Sequence, residues 1–233
     1  MKRDVQRMRV CLIESPSAMD LFMGHTETDT LSEVCRLLGH EFAAVTVRSN
    51  DEFKTAVRHL TSIDESHASK ARQSLPLCLR LAAHGNKDGL AMGADDANWE
   101  FVANVLRQFS KEMKHYTGPL VLILSSCEAE FQKITGFFRR FAADSPGFRP
   151  PAFIFTTVSN KKGEVYWRDS VVAWSIFYHQ TGAAVLSDRE EMKTVVDKIR
   201  LVGAGALKYF RWDSEMRSYK SYESSLIEHG SEA

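Results

Sequence analysis

No apolar run in the 233 residues approaches the ~20 residues that a membrane-spanning helix needs. The stretch Val10–Ile13 behind the basic start MKRDVQRMR is too short for the core of a secretion signal. A cytoplasmic protein without membrane contact is therefore expected. An excess of charge is missing too: 30 Lys plus Arg balance 30 Asp plus Glu, so the chain lacks the overall electrostatic footprint of a nucleic-acid partner. The four cysteines, Cys11, Cys35, Cys78 and Cys127, form no CxxC pair and no Cys/His group, which argues against both a structural zinc and a disulfide framework. Neither GxGxxG nor a P-loop follows the first apolar run, which leads into Glu14-Ser15-Pro16, and no GxSxG elbow occurs. Nucleotide binding and serine-hydrolase chemistry are thereby disfavoured, and no metal or other cofactor is expected.

What is present is alternation. Met8–Ile13, Phe42–Val47, Leu75–Ala83, Leu120–Leu124 and Pro151–Val158 are short, nearly continuous apolar runs, the pattern of strands buried on both faces. Helical spacing lies between them, over Thr28–Leu38, Asp51–Leu60, Asn98–Met113, Phe131–Phe141 and Asp169–Gln180, with a long last helix expected over Asp188–Phe210. Strand and helix in turn imply right-handed crossovers and a mainly parallel sheet with helices on both faces, an α/β domain over residues 1–212. The segment Asp64–Ser74 reads as a surface loop or a frayed helix end. Residues 213–233 read as a polar tail, mobile or docked on a partner.

Two of the expected strands end on chemistry. PLCLRLAAHGNKDGL runs out at His84-Gly85, and LVLILSSCEAE runs out at Ser126-Cys127. Functional groups collect at the carboxyl ends of strands in open parallel sheets, because helices cover the faces there and loops are free to vary. If the two strands are adjacent, their tips lie roughly 5 Å apart. An imidazole beside a thiol, with a helix starting directly after the cysteine, favours thiolate formation. Such a thiolate is a nucleophile, and His84 can protonate a leaving amine. The backbone N–H groups of Gly85 and Cys127 could form an oxyanion hole. Cys11, Cys35 and Cys78 lie inside apolar patterns and read as core. Trp99 and Trp174 read as core too, whereas Trp167 precedes a helix and is a candidate for a cleft wall.

The same residues resemble a known family. HGNKDGL, the helix NWEFVANVL, LVLILSSCEAE and YWRDSVVAWSIFYHQTG together resemble the caspase-like (clan CD) cysteine peptidases, and more narrowly their CHAT (caspase/separase-like) branch, over about residues 8–200. Glu130 stands where members often carry a small residue. The resemblance implies a three-layer caspase-hemoglobinase-like fold, a His84–Cys127 dyad, and Asp169 near the substrate cleft. It also implies a protein substrate, for which a co-encoded protein is a candidate, a regulatory protein partner, and a place in a bacterial defence or cell-death pathway. Separase-like relatives hold a basic residue in an acidic pocket. The acidic residues at the strand-end loops here, Glu14, Asp20 and Asp169, suggest the same preference. Arg168 and the lysines of NKKGE are the residues that could instead favour an acidic one. The competing expectation is a non-catalytic scaffold of the same fold, although such a chain would usually have lost one member of the dyad.

Overall fold

All five apolar runs form strands. The computed structural model describes residues 7–223 apart from 146, 183 and 185, so the basic residues 1–6 and the tail residues 224–233 lie outside the described residues. Strand β1 (Arg9–Ser15) is followed by two helices, α1 (Ala18–Met23) and α2 (Thr28–Leu37), and then by β2 (Glu41–Thr46) and α3 (Asn50–Leu60). The polar segment 64–74 contains one short helix, α4 (Lys70–Gln73), before β3 (Leu77–Ala83). Three short strands come next, β4 (Gly85–Asn86), β5 (Gly89–Met92) and β6 (Asp95–Asn98), which the apolar pattern did not announce because each is only two to four residues long. Helix α5 (Trp99–Glu112), β7 (Leu120–Ser125), α6 (Ile134–Asp144), β8 (Phe153–Val158) and α7 (Trp167–Thr181) continue the alternation. The chain closes with α8 (Arg189–Leu201), β9 (Ala206–Asp213) and β10 (Ser218–Glu223).

Seven strands make one sheet in the order β10-β9-β8-β7-β3-β1-β2. The five from β8 to β2 are parallel, and β9 and β10 are antiparallel to their neighbours. On one face, α3, α5 and α6 bury Phe53, Val102, Leu106 and Phe138 against Leu79, Leu81, Leu122 and Leu124. On the other, α2, α7 and α8 bury Leu31, Trp174, Phe177, Val196 and Ile199 against Val10, Val121, Ile123 and Phe155. The three-layer α/β architecture follows from inner strands apolar on both sides, whereas β2, expected to be buried on both faces, is the edge strand and is largely exposed. Cys11, Cys35 and Cys78 are buried in these two layers.

Two expectations need correction. The last helix stops at Leu201 instead of running to Phe210. Gly203 and Gly205 follow at φ 71° and 91°, a backbone region that suits glycine and ends a helix. Beyond them Leu207, Tyr209 and Phe210 are buried in β9. The tail expected from Asp213 is likewise part of the sheet over its first residues. β10 pairs in register with β9, Ser218 opposite Asp213 and Tyr222 opposite Tyr209, and Tyr222 donates to Asp197 of α8 at 3.1 Å. Its two tyrosines lie three positions apart and so face opposite sides of the sheet, Tyr219 packing on the layer of α5 and α6 and Tyr222 on the layer of α7 and α8.

A candidate active site at the ends of β3 and β7

Strands β3 and β7 are adjacent and parallel, with Ala82 opposite Ser125. His84 and Cys127 each follow two residues later, so both leave the same end of the sheet from neighbouring strands, whose axes are about 4.8 Å apart. Both line one cleft, together with Glu14, Ser15, Asp20, His25, Glu27, Ser126, Trp167 and Ser170. Cys127 is half-buried and the His84 side chain is 60% exposed. No hydrogen bond joins the two side chains among the described residues.

The backbone around Cys127 is shaped by its neighbours. Glu128 has φ 55°, in the left-handed region that non-glycine residues seldom adopt, so the chain turns sharply just after the thiol. A 3-10 turn over Ala129–Phe131 follows, and α6 begins only at Ile134. The helix expected directly after the cysteine therefore starts too late to present its N-terminus to the sulfur, because the turn at Glu128 interrupts it. The thiol is met instead by the Val165 N–H, which donates to Cys127 Sγ at 3.4 Å. The loop that carries Val165 is tied to the cysteine turn: Glu128 N–H donates to Ser159 Oγ at 2.6 Å, and Ser159 N–H donates to Glu130 Oε1 at 2.9 Å. Glu130, the departure from the family pattern, thus holds two loops together.

Gly85 is glycine for want of room. A Cβ there would sit 3.0 Å from the Ser126 side chain and 2.9 Å from the Gly89 carbonyl oxygen. That close approach brings the two strand-end loops together. The Ser126 N–H is spent on Thr157 Oγ1 at 3.2 Å and the Glu128 N–H on Ser159. No described hydrogen bond uses the Cys127 amide between them.

The cleft floor is acidic. Glu14 is 4% exposed at the end of β1 and accepts from the Glu27 N–H at 2.7 Å and the Thr28 hydroxyl at 2.8 Å. Burial pushes its carboxyl above the usual carboxylate range, outweighing those two bonds; the charge of Glu27 adds to the push and Arg80 opposes it. Glu27 is compensated, since Arg80 Nε donates to its Oε2 at 2.9 Å. Arg80 is fully buried, lies over the Trp174 ring at 4.5 Å, and reaches Ser125 Oγ at 3.0 Å. Ser125 also receives the Trp174 Nε1–H at 3.1 Å and meets Ser170 Oγ at 2.9 Å, so these side chains form one connected polar network. Glu14 is left with neutral donors as its bonded partners.

Trp167 stacks on His25, ring centroids 5.1 Å apart and planes 19° off parallel, and the pair forms an aromatic wall. Asp169 does not line the cleft. It accepts from Arg168 Nε at 3.2 Å, while the next residue, Ser170, faces inward. Arg168 and the lysines of NKKGE are also absent from the lining. Trp99 and Trp174 are buried, and the Trp99 Nε1–H donates to the Lys87 carbonyl at 2.9 Å, which pins the loop after His84. Glu27, His25, Val165 and Ser170 are cleft residues that no sequence pattern marked.

The cleft encloses about 100 Å³. Sites that enclose a small molecule usually offer roughly 300–1,000 Å³, so this one suits a single side chain inserted from a chain lying across it. No group of three or more His, Cys, Asp or Glu side chains able to hold a metal occurs among the described residues, and none of the described helices is long and apolar enough to cross a membrane.

No family model matches the sequence, and no curated protein does. Among solved structures, the crystal structure of caspase-1 from Spodoptera frugiperda is similar, with a TM-score of 0.49 and 17% identity over 85% of this chain and 78% of that one.

Proposed function

We propose that the protein is a caspase-like cysteine endopeptidase in which Cys127 and His84 cleave a polypeptide after a basic residue. The observation that carries this reading is the cleft shared by the two side chains, with a carboxylate at its floor whose bonded partners are neutral. The basic side chain would enter between the Trp167–His25 wall and Glu14, placing the next carbonyl carbon over the thiol. Cys127 sulfur, as thiolate, adds to that carbon, and the carbonyl electron pair moves to oxygen, facing the amides of Gly85 and Cys127. Protonated His84 gives its proton to the departing nitrogen as the C–N bond breaks and a thioester remains. Water then adds to the thioester, His84 takes its proton, and the thiolate leaves again.

Assignment to the CHAT branch rests on the motifs around His84, Cys127 and α7. With it come a co-encoded protein as the first substrate to test, a regulatory protein partner, and a role in defence or cell death. A panel of fluorogenic peptides that differ in the residue before the scissile bond tests the specificity. Fastest release after Arg or Lys, absent in Cys127→Ala, is the expected result; fastest release after Asp would overturn it. No Cys127-dependent cleavage of any peptide would favour the scaffold.

A further inference from the structure

Helix α1 is anomalous. An amphipathic surface helix ordinarily buries one face. None of the six residues of α1 is buried, and Met19, Leu21, Phe22 and Met23 are all exposed. Its described side-chain ties run through Asp20. The Oδ2 atom of Asp20 accepts from Ser17 N–H at 2.8 Å and from Ser17 Oγ at 2.5 Å, while Ser17 Oγ accepts from the Asp20 N–H at 3.1 Å. That reciprocal pair is a capping box, which fixes the carboxylate at the helix start. The same Oδ2 lies 2.7 Å from His84 Nε2.

We propose that Asp20 is the positioning residue of the dyad: its carboxylate accepts the Nε2–H of His84, fixes the ring's tautomer and orientation, and leaves Nδ1 as the nitrogen that exchanges protons with Cys127 and substrate. The inference rests on the peptidase reading for its purpose, though not for its geometry. A carboxylate only accepts, so at 2.7 Å the shared proton belongs to Nε2. Against the upward push of burial, the bonds from Ser17 and His84 hold Asp20 below the usual carboxylate range, which keeps it an acceptor at neutral pH. A neutral imidazole protonated on Nε2 has its lone pair on Nδ1, and a buried carboxylate behind a catalytic histidine performs this service in serine peptidases. The role is positional because the described side-chain bonds of Asp20 run to Ser17 and His84 and none runs to the thiol.

Long-range proton–nitrogen NMR of the imidazole rings in the full chain reads the tautomer directly. The His84 signal is assigned by its loss in His84→Asn. In the unsubstituted chain, neutral His84 should carry its proton on Nε2. In Asp20→Asn the side-chain amide can donate to Nε2, so the proton should move to Nδ1, and Cys127-dependent peptide cleavage should fall roughly 100-fold or more, as when the wrong tautomer is imposed elsewhere. Asp20→Glu keeps the carboxylate and should restore the tautomer and most of the rate. A proton on Nδ1 in the unsubstituted chain, or Asp20→Asn with tautomer and rate both unchanged, would overturn the inference while leaving the peptidase reading in place. A tautomer switch in a chain that cleaves no peptide supports the positioning and overturns the peptidase reading alone.

Discussion

Of the four thiols, only Cys127 reaches the surface. Burial pushes Cys11, Cys35 and Cys78 up to about 12, so they stay protonated as well as shielded. Iodoacetamide on the native protein should therefore modify Cys127 first, and peptide mapping that found Cys35 ahead of it would contradict the site. Gly85→Ala places a methyl against Ser126 and the Gly89 carbonyl. It should cost about 1–3 kcal/mol by overpacking, read by urea denaturation, and should suppress turnover by spreading the strand ends. Glu14 gives a pH signature. Its carboxyl titrates above the usual range in the folded chain, so the folded state keeps that proton longer. The stability it contributes therefore declines as pH rises from the ordinary carboxylate value through the raised one. A basic substrate residue prefers the ionised form, so KM for an arginyl peptide should fall as pH rises through that window. Glu14→Gln should flatten the profile. At this scale the sequence was informative wherever a residue sat at a strand end, as His84, Cys127 and Glu14 do. In α7 the lining residue is Ser170 and not Asp169: that helix begins at Trp167, and a step of about 100° per residue turns Asp169 toward Arg168 and Ser170 toward the cleft. The reach of Asp20 to His84 was not legible, because that contact joins residues 64 positions apart.

Elements bring these residues together through buried polar contacts that cross layers. The ion pair of Glu27, at the start of α2, with Arg80 of β3 ties a helix to the middle of the sheet directly beneath the cleft. Glu27→Ala leaves a fully buried guanidinium without its carboxylate and should cost about 3–5 kcal/mol, seen as a lower urea midpoint at unchanged slope. If the midpoint is unaltered, this network does not hold the cleft floor. Helix and strand identity was legible where the apolar period was long. It failed at α8, where residues 206–210 continued an apolar pattern that two left-handed glycines cut off. It failed again after Cys127, where a turn at Glu128 that only backbone angles disclose delays α6.

Across the molecule, one crossover through α5 sets β3 beside β7, and their parallel register delivers both reactive side chains to the same rim. The alternation of apolar runs was enough to read that architecture. The antiparallel extension by β9 and β10 was not legible, because β9 continues the apolar pattern of α8 and the polar composition of β10 resembles a tail. The proposed cleavage requires an imidazole and a thiol acting together above an acidic floor. Intact-mass analysis after treatment with a peptidyl-arginine electrophile tests it most directly. One adduct on Cys127, formed much more slowly in His84→Ala and in Glu14→Gln, is the result the account requires. Equal labelling in His84→Ala, or faster labelling by the aspartyl analogue, would contradict it.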